Sequence, residues 1–121
     1  MPDIGELRSL LTKMKASNGP SPQLDKDIAT VLGRLPGGAE APPRWTASID
    51  DAMKLFNELL PGRPMEIVPA PGNKGFICSV KLYGSMPATF PYAMHIAKTA
   101  AMALMAAMIQ TLLAVEIDPW S

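Results

Sequence analysis

His95 is the single histidine of the chain and Cys78 the single cysteine, so nucleophilic or acid–base chemistry would have to begin at one of them. A general base near neutral pH is usually an imidazole, and His95 lies between Tyr92 and Lys98. Cys78 belongs to the alternating run Phe76, Cys78, Val80, Leu82, and apolar surroundings disfavour the thiolate that reacts. Alternation alone does not put His95 and Cys78 on one sheet face, which weakens a Cys–His pair. A zinc site needs three or four His, Cys or carboxylate ligands; one histidine and one cysteine predict no metal, and no cofactor is expected. Asp25 and Asp27, two apart on a helix, diverge and make no acid–base pair. Gly72-Asn73-Lys74-Gly75 offers backbone amides to a phosphate, yet it lacks the spacing of a P-loop or a dinucleotide fingerprint. It reads first as a turn, and so does Gly37-Gly38.

The residues with partner-binding character are of another kind. Met102, Met105 and Met108 form a ridge at three-residue spacing. Methionine recurs both in adaptable cores and on promiscuous binding surfaces; core packing is the favoured reading, and self-association is its competitor. Arg44 and Trp45 are residue types enriched at interface hot spots, set against simple anchoring of the loop before them.

These residues need elements to position them. Thr99 to Val115, TAAMALMAAMIQTLLAV, is the longest apolar run. Ala, Leu and Met are strong helix formers and the run holds neither Pro nor Gly, so it predicts a helix capped by Thr99. Its polar residues are Gln110 and Thr111, and a helix apolar nearly all round belongs in an interior. A membrane span needs about 20 apolar residues; this run falls short, and no membrane is expected.

Three amphipathic helices precede it. Ile4, Leu7, Leu11 and Met14, with Leu10 beside them, make the first stripe after a capping-box-like Asp3 to Glu6 start. Ser21-Pro22 opens the second, with Leu24, Ile28, Val31, Leu32 and Leu35 inside and Asp25, Lys26 and Asp27 outside. Pro36 to Arg44 then reads as a Pro/Gly-rich loop joining two halves of one domain, residues 1–121. Ser48 opens the third helix, whose stripe is Ala52, Met53, Phe56, Leu59 and Leu60. The period then changes to alternation: Met65 to Val68, Phe76 to Tyr83 and Tyr92 to Ala97 predict strands joined as an antiparallel meander. Both sheet faces carry apolar residues, which predicts cover on both sides. The fold expected is α/β (α+β): a small three-stranded antiparallel sheet sandwiched between helices, in the order α-α-α-β-β-β-α, with an extended tail over 116–121.

Composition narrows the function. Apolar residues at 48% and charged ones at 18% describe a folded domain. Lys+Arg and Asp+Glu both number 11, whereas a nucleic-acid binder normally carries a basic excess; no nucleic-acid partner is expected. Zero net charge does little to oppose a homo-oligomer. The N-terminal MPDIGEL shows no secretory pattern, and one cysteine suits a reducing compartment, so a cytoplasmic protein is expected.

The segments SNGPSPQLDKDIATVLG, ATVLGRLPG and PPRWTASIDDAM, a sheet entered after LLPG, and the closing AKTAAMALMAAMIQTLL resemble the phage ABA sandwich domain over most of the chain. Ala100 stands where that family often has Pro, and the strands lack a strong aromatic pair. The resemblance implies a phage or prophage protein inside a bacterial host cell and carries no catalytic residues. It points to a non-enzymatic accessory protein that binds a host or defence protein. The alternatives are a small-ligand or nucleotide-binding, sponge-like module using residues 70–75 and 84–91, and a small hydrolase centred on His95.

Overall fold

The Ala/Leu/Met run forms helix α4, Ala100–Ile117, two residues longer than its sequence suggests. Thr99 caps it: the threonine Oγ accepts from the Met102 amide at 3.1 Å. The computed structural model describes residues 4–17, 19–33, 43–62, 65–81 and 92–117. Ahead of α4 come α1 (Ile4–Ala16), α2 (Pro22–Leu32) and α3 (Ile49–Leu59), then β1 (Met65–Pro69), β2 (Phe76–Lys81) and β3 (Tyr92–Ala97). The protein is therefore a mixed α+β fold with one three-stranded antiparallel sheet in the order β1-β2-β3.

Local chemistry sets the helix ends. Ser21 Oγ accepts from the Leu24 amide and Pro22 fills the first position of α2, where a missing N–H costs nothing. Ser48 Oγ accepts from the Asp51 amide at the start of α3. The sequence pattern carried α2 on to Leu35; instead it stops at Leu32, because Gly33 takes a left-handed cap (φ +67°) whose N–H reaches the Ala29 and Thr30 carbonyls. Leu35 and residues 36–42 of the Pro/Gly loop, residues 84–91, and 118–121 of the tail lie outside the described residues.

Helix α4 is the centre of the packing. The sheet lies on one side of it, chiefly through β2 and β3, while α1 and α3 pack on the other and α2 packs against α1. Leu104, Met105, Met108 and Ile109 are fully buried, and so are Ala103 and Ala107. Each such large side chain contributes about 1.5–3 kcal/mol relative to exposure, which accounts for a helix with no polar face. Cover on both faces of the sheet was expected, but among the described residues helices cover one face alone. Val68, Ile77 and Ile96 align in a cross-strand row on the other face, where Ile96 is 63% and the neighbouring Met94 59% exposed. One helix buried all round serves both the sheet and the helical layer. No described element remains to cover the far face.

A second difference concerns Asp25, which the helical pattern put outside. It is buried (4% exposed), and its Oδ1 accepts from the Thr46 amide at 2.9 Å. Thr46 Oγ in turn accepts from the Ser21 amide, and Thr99 Oγ donates to the Thr46 carbonyl. The turn after Arg44 thus ties the starts of α2 and α4 together, and a buried amide without a partner would be costly.

Candidate functional site

The hairpin register decides which chemistry-bearing residues meet. Cys78 pairs with Ile67 on one side and His95 on the other, and residues directly opposite in a sheet share a face. His95 and Cys78 therefore do stand on the same face, the one against α4, although alternation did not require it. Cys78 is fully buried, and burial pushes its thiol up from 9.0 to about 12; at neutral pH it stays a thiol. His95 Nε2 lies 2.8 Å from Gln110 Oε1 on α4. An amide oxygen only accepts, so Nε2 carries the hydrogen and donates. Partial burial lowers the imidazole below its ordinary 6.5, the Gln110 hydrogen bond pulls it the other way, and the charge of Lys15 lowers it further. Its partner is a neutral amide, where a carboxylate would orient a catalytic base.

Beside His95 opens a cavity of about 200 Å³. Three lysines line it from three separate segments: Lys15 from the last turn of α1, Lys74 from the turn after β1, and Lys98 from the step between β3 and α4. Met14, Met102 and Ala106 supply an apolar floor. Among the described residues none of the three lysines takes part in an ion pair, and no carboxylate lines the cavity. Three cations around one hollow, with no counter-charge among its described lining residues, favour an anion there.

Gly75 brings two of these lysines together. At φ +110° it lies so close to β3 that a Cβ would overlap the Ala97 carbonyl oxygen, and its own carbonyl accepts from the Ala70 amide at 2.8 Å. The turn carrying Lys74 is thereby clamped against the backbone of Ala97 and Lys98. On the other wall, Ser17 Oγ donates to the Gly19 carbonyl at 2.7 Å and shapes the exit from α1.

The residues read from sequence as candidates for partner binding fall elsewhere. Met102, Met105 and Met108 are buried in this chain's own core, and Trp45 is buried at 4% exposure; for these four the packing reading describes where they sit, and Met102 alone touches the cavity. Arg44 is exposed, and its amide donates to Asp51 Oδ2 at 3.0 Å. Among the described residues no three His, Cys, Asp or Glu side chains come together as a metal site, and no helix is long and apolar enough to cross a membrane. Of the loops proposed for ligand binding, residues 70–75 contribute Lys74. Nothing in the sequence pattern singled out Lys15, and Lys98 stood out only as a neighbour of His95. The signal available for them was a lysine at each of three chain reversals. No family model matches this chain, and neither a curated protein nor a solved structure matches it.

Proposed function

We propose that the protein is a non-enzymatic binding module whose pocket, bounded by Lys15, Lys74, Lys98 and His95, takes a small anionic ligand. The observation that carries this reading is the convergence of three lysines, none in an ion pair among the described residues, on one cavity with an apolar floor. The volume of about 200 Å³ equals roughly seven water volumes at about 30 Å³ each, which suits a small charged group with a short body better than a whole dinucleotide. Against a hydrolase at His95 stand the neutral Gln110 partner and a Cys78 thiol with no thiolate at working pH. Thermal-shift titration with inorganic phosphate, pyrophosphate and a mononucleotide tests the reading. At least one should stabilise the wild type, and a Lys15→Ala/Lys98→Ala variant should respond at least tenfold more weakly. Equal response of the two proteins removes the proposal.

A second reading, a phage or prophage accessory protein that binds a host or defence protein, draws on the ABA-sandwich resemblance and on the exposed row Val68, Ile96 and neighbouring Met94. Its test is binding of host proteins by the wild type and by a Met94→Lys/Ile96→Lys variant. Binding that both share equally ends it.

A further inference from the structure

Resting on the anion-pocket reading, the geometry points to a ligand class: we infer that the pocket takes a phosphoryl group that shares one proton with His95 Nδ1, in preference to a proton-free anion such as sulfate. Gln110 Oε1 occupies the hydrogen on Nε2 and so selects the tautomer whose Nδ1 holds a lone pair. Among the described residues Nδ1 makes no hydrogen bond of its own, and His95 lines the cavity. An anion oxygen and a lone pair repel unless a proton lies between them.

That proton is not there in the empty pocket. The groups around the imidazole are Lys15 from α1, Lys74 from the β1–β2 turn and Lys98 after β3, all cationic, and from β2 the Cys78 thiol, which is neutral. Helix α4 presents Gln110, Met102 and Ala106, none of which titrates. An imidazolium would be a fourth positive charge with no carboxylate among its described neighbours. Both burial and the Lys15 charge oppose it. The proton therefore arrives with, or because of, the anion. A phosphomonoester has its last ionisation at about pH 6, close to an imidazole, so the proton can reside on either partner: imidazole with monoanion, or imidazolium with dianion. Sulfate keeps no proton in this range and can use the second arrangement alone. The bookkeeping is one proton taken from solvent per dianion bound, with no bond to carbon or phosphorus made or broken.

Isothermal titration calorimetry of the full chain with methyl phosphate, a phosphomonoester whose dianion carries no proton, and with sodium sulfate, at pH 6, 7 and 8 in two buffers of different ionisation heat, tests this. Methyl phosphate should bind more tightly than sulfate at pH 7, by about tenfold, one pKa unit's worth of proton affinity. Proton uptake should approach one per methyl phosphate at pH 8, and the preference should shrink at pH 6, where free methyl phosphate already carries the proton. In His95→Gln, checked for folding by near-UV circular dichroism, preference and uptake should both vanish while the lysines retain weak, equal binding of the two anions. Equal wild-type affinities for methyl phosphate and sulfate, or methyl phosphate binding without proton uptake at pH 8, overturn the inference even if Lys74→Ala weakens both anions and so upholds the pocket. Binding of neither anion overturns the pocket reading and this inference together. The wild-type comparison depends on no variant.

Discussion

Replacing Gly75 by alanine should damage both the fold and the pocket, in proportions that the structure allows to be worked out. The residue sits at φ +110°, and a Cβ there would overlap the Ala97 carbonyl oxygen while lying 2.9 Å from its carbon and 3.0 Å from Lys98 Cα. All three obstacles are backbone, so no rotamer change relieves them. Holding a non-glycine residue in a sparsely populated backbone region costs about 1–3 kcal/mol, and forcing the turn and β3 apart costs about 1–3 kcal/mol more, as for other overpacked sites. The sum is about 2–6 kcal/mol, which for a domain of this size lowers Tm by about 8–24 °C. The displaced turn carries Lys74 away from Lys98. A cation about 4 Å from an anion in water is worth about 1 kcal/mol, or about fivefold in affinity, and because Lys74 is moved and not removed the loss should stay below that of Lys74→Ala. Urea unfolding measures the first effect and phosphate titration at a temperature where the variant is folded measures the second. A Gly75→Ala protein with an unchanged urea midpoint would show that the close approach to Ala97 does not constrain the turn; unchanged midpoint and unchanged affinity would refute the account of how Lys74 is placed.

Cys78 should resist a thiol reagent at pH 8 until denaturant is added. Because its folded pKa is raised to about 12 from 9.0, its contribution to stability is complete below pH 9 and is lost as pH rises toward 12, by at most about 1.4 kcal/mol per pH unit; a flat alkaline stability curve contradicts this. His95 has the opposite sign: its folded pKa is depressed, so in the absence of ligand, stability is complete above about pH 6.5 and falls as the pH drops below it. His95→Gln should flatten that acid limb in urea titrations. Asp25→Ala leaves the buried Thr46 amide unpaired and should cost about 1–3 kcal/mol; a neutral result would mean that water satisfies the amide. Met94→Ser/Ile96→Ser on the open sheet face should change stability by no more than about 0.5 kcal/mol per site, whereas Met105→Ala in α4 should cost about 2–5 kcal/mol; a reversed ranking would place the core on the wrong side of the sheet.

How far the fold was legible follows from which physics is local. The helical nature and burial of α4 could be read from Ala, Leu and Met alone, because helix propensity and the absence of a polar face are properties of one segment. The Ser21 and Ser48 caps were legible for the same reason. Alternation identified β2 and sorted Cys78 and Val80 from Ile77 and Ser79. It did not identify which face of β3 continues that of β2, since register is set by pairing across the hairpin and a one-residue slip exchanges the faces. Cys78 therefore met His95 only once the pairing Cys78↔His95 was known. The burial of Asp25 was not legible because its partner, the Thr46 amide, lies 21 residues away; nothing on α2 itself distinguishes it from the solvated Lys26.

The position of the pocket follows from the same constraint that made α4 conspicuous. A helix buried by a sheet on one side and by helices on the other has no place for unpaired charge along its length. Polar chemistry is displaced to the margins, where α1 ends, where the β1–β2 turn folds back and where β3 hands over to α4. Those are the three places that supply Lys15, Lys74 and Lys98. Gln110 and Thr111 are the exceptions within the described part of α4, and Thr111 Oγ donates to the Ala107 carbonyl of its own helix. A lone amide facing the sheet would be expensive without a partner, and the partner it finds is the chain's single histidine. That bond can be explained by satisfaction of two half-buried polar groups alone, so it does not by itself imply a ligand. What it does is hold the ring in one tautomer at the edge of a cavity rich in lysine. A structural hydrogen bond thereby decides whether the pocket meets an anion with a lone pair or with a proton.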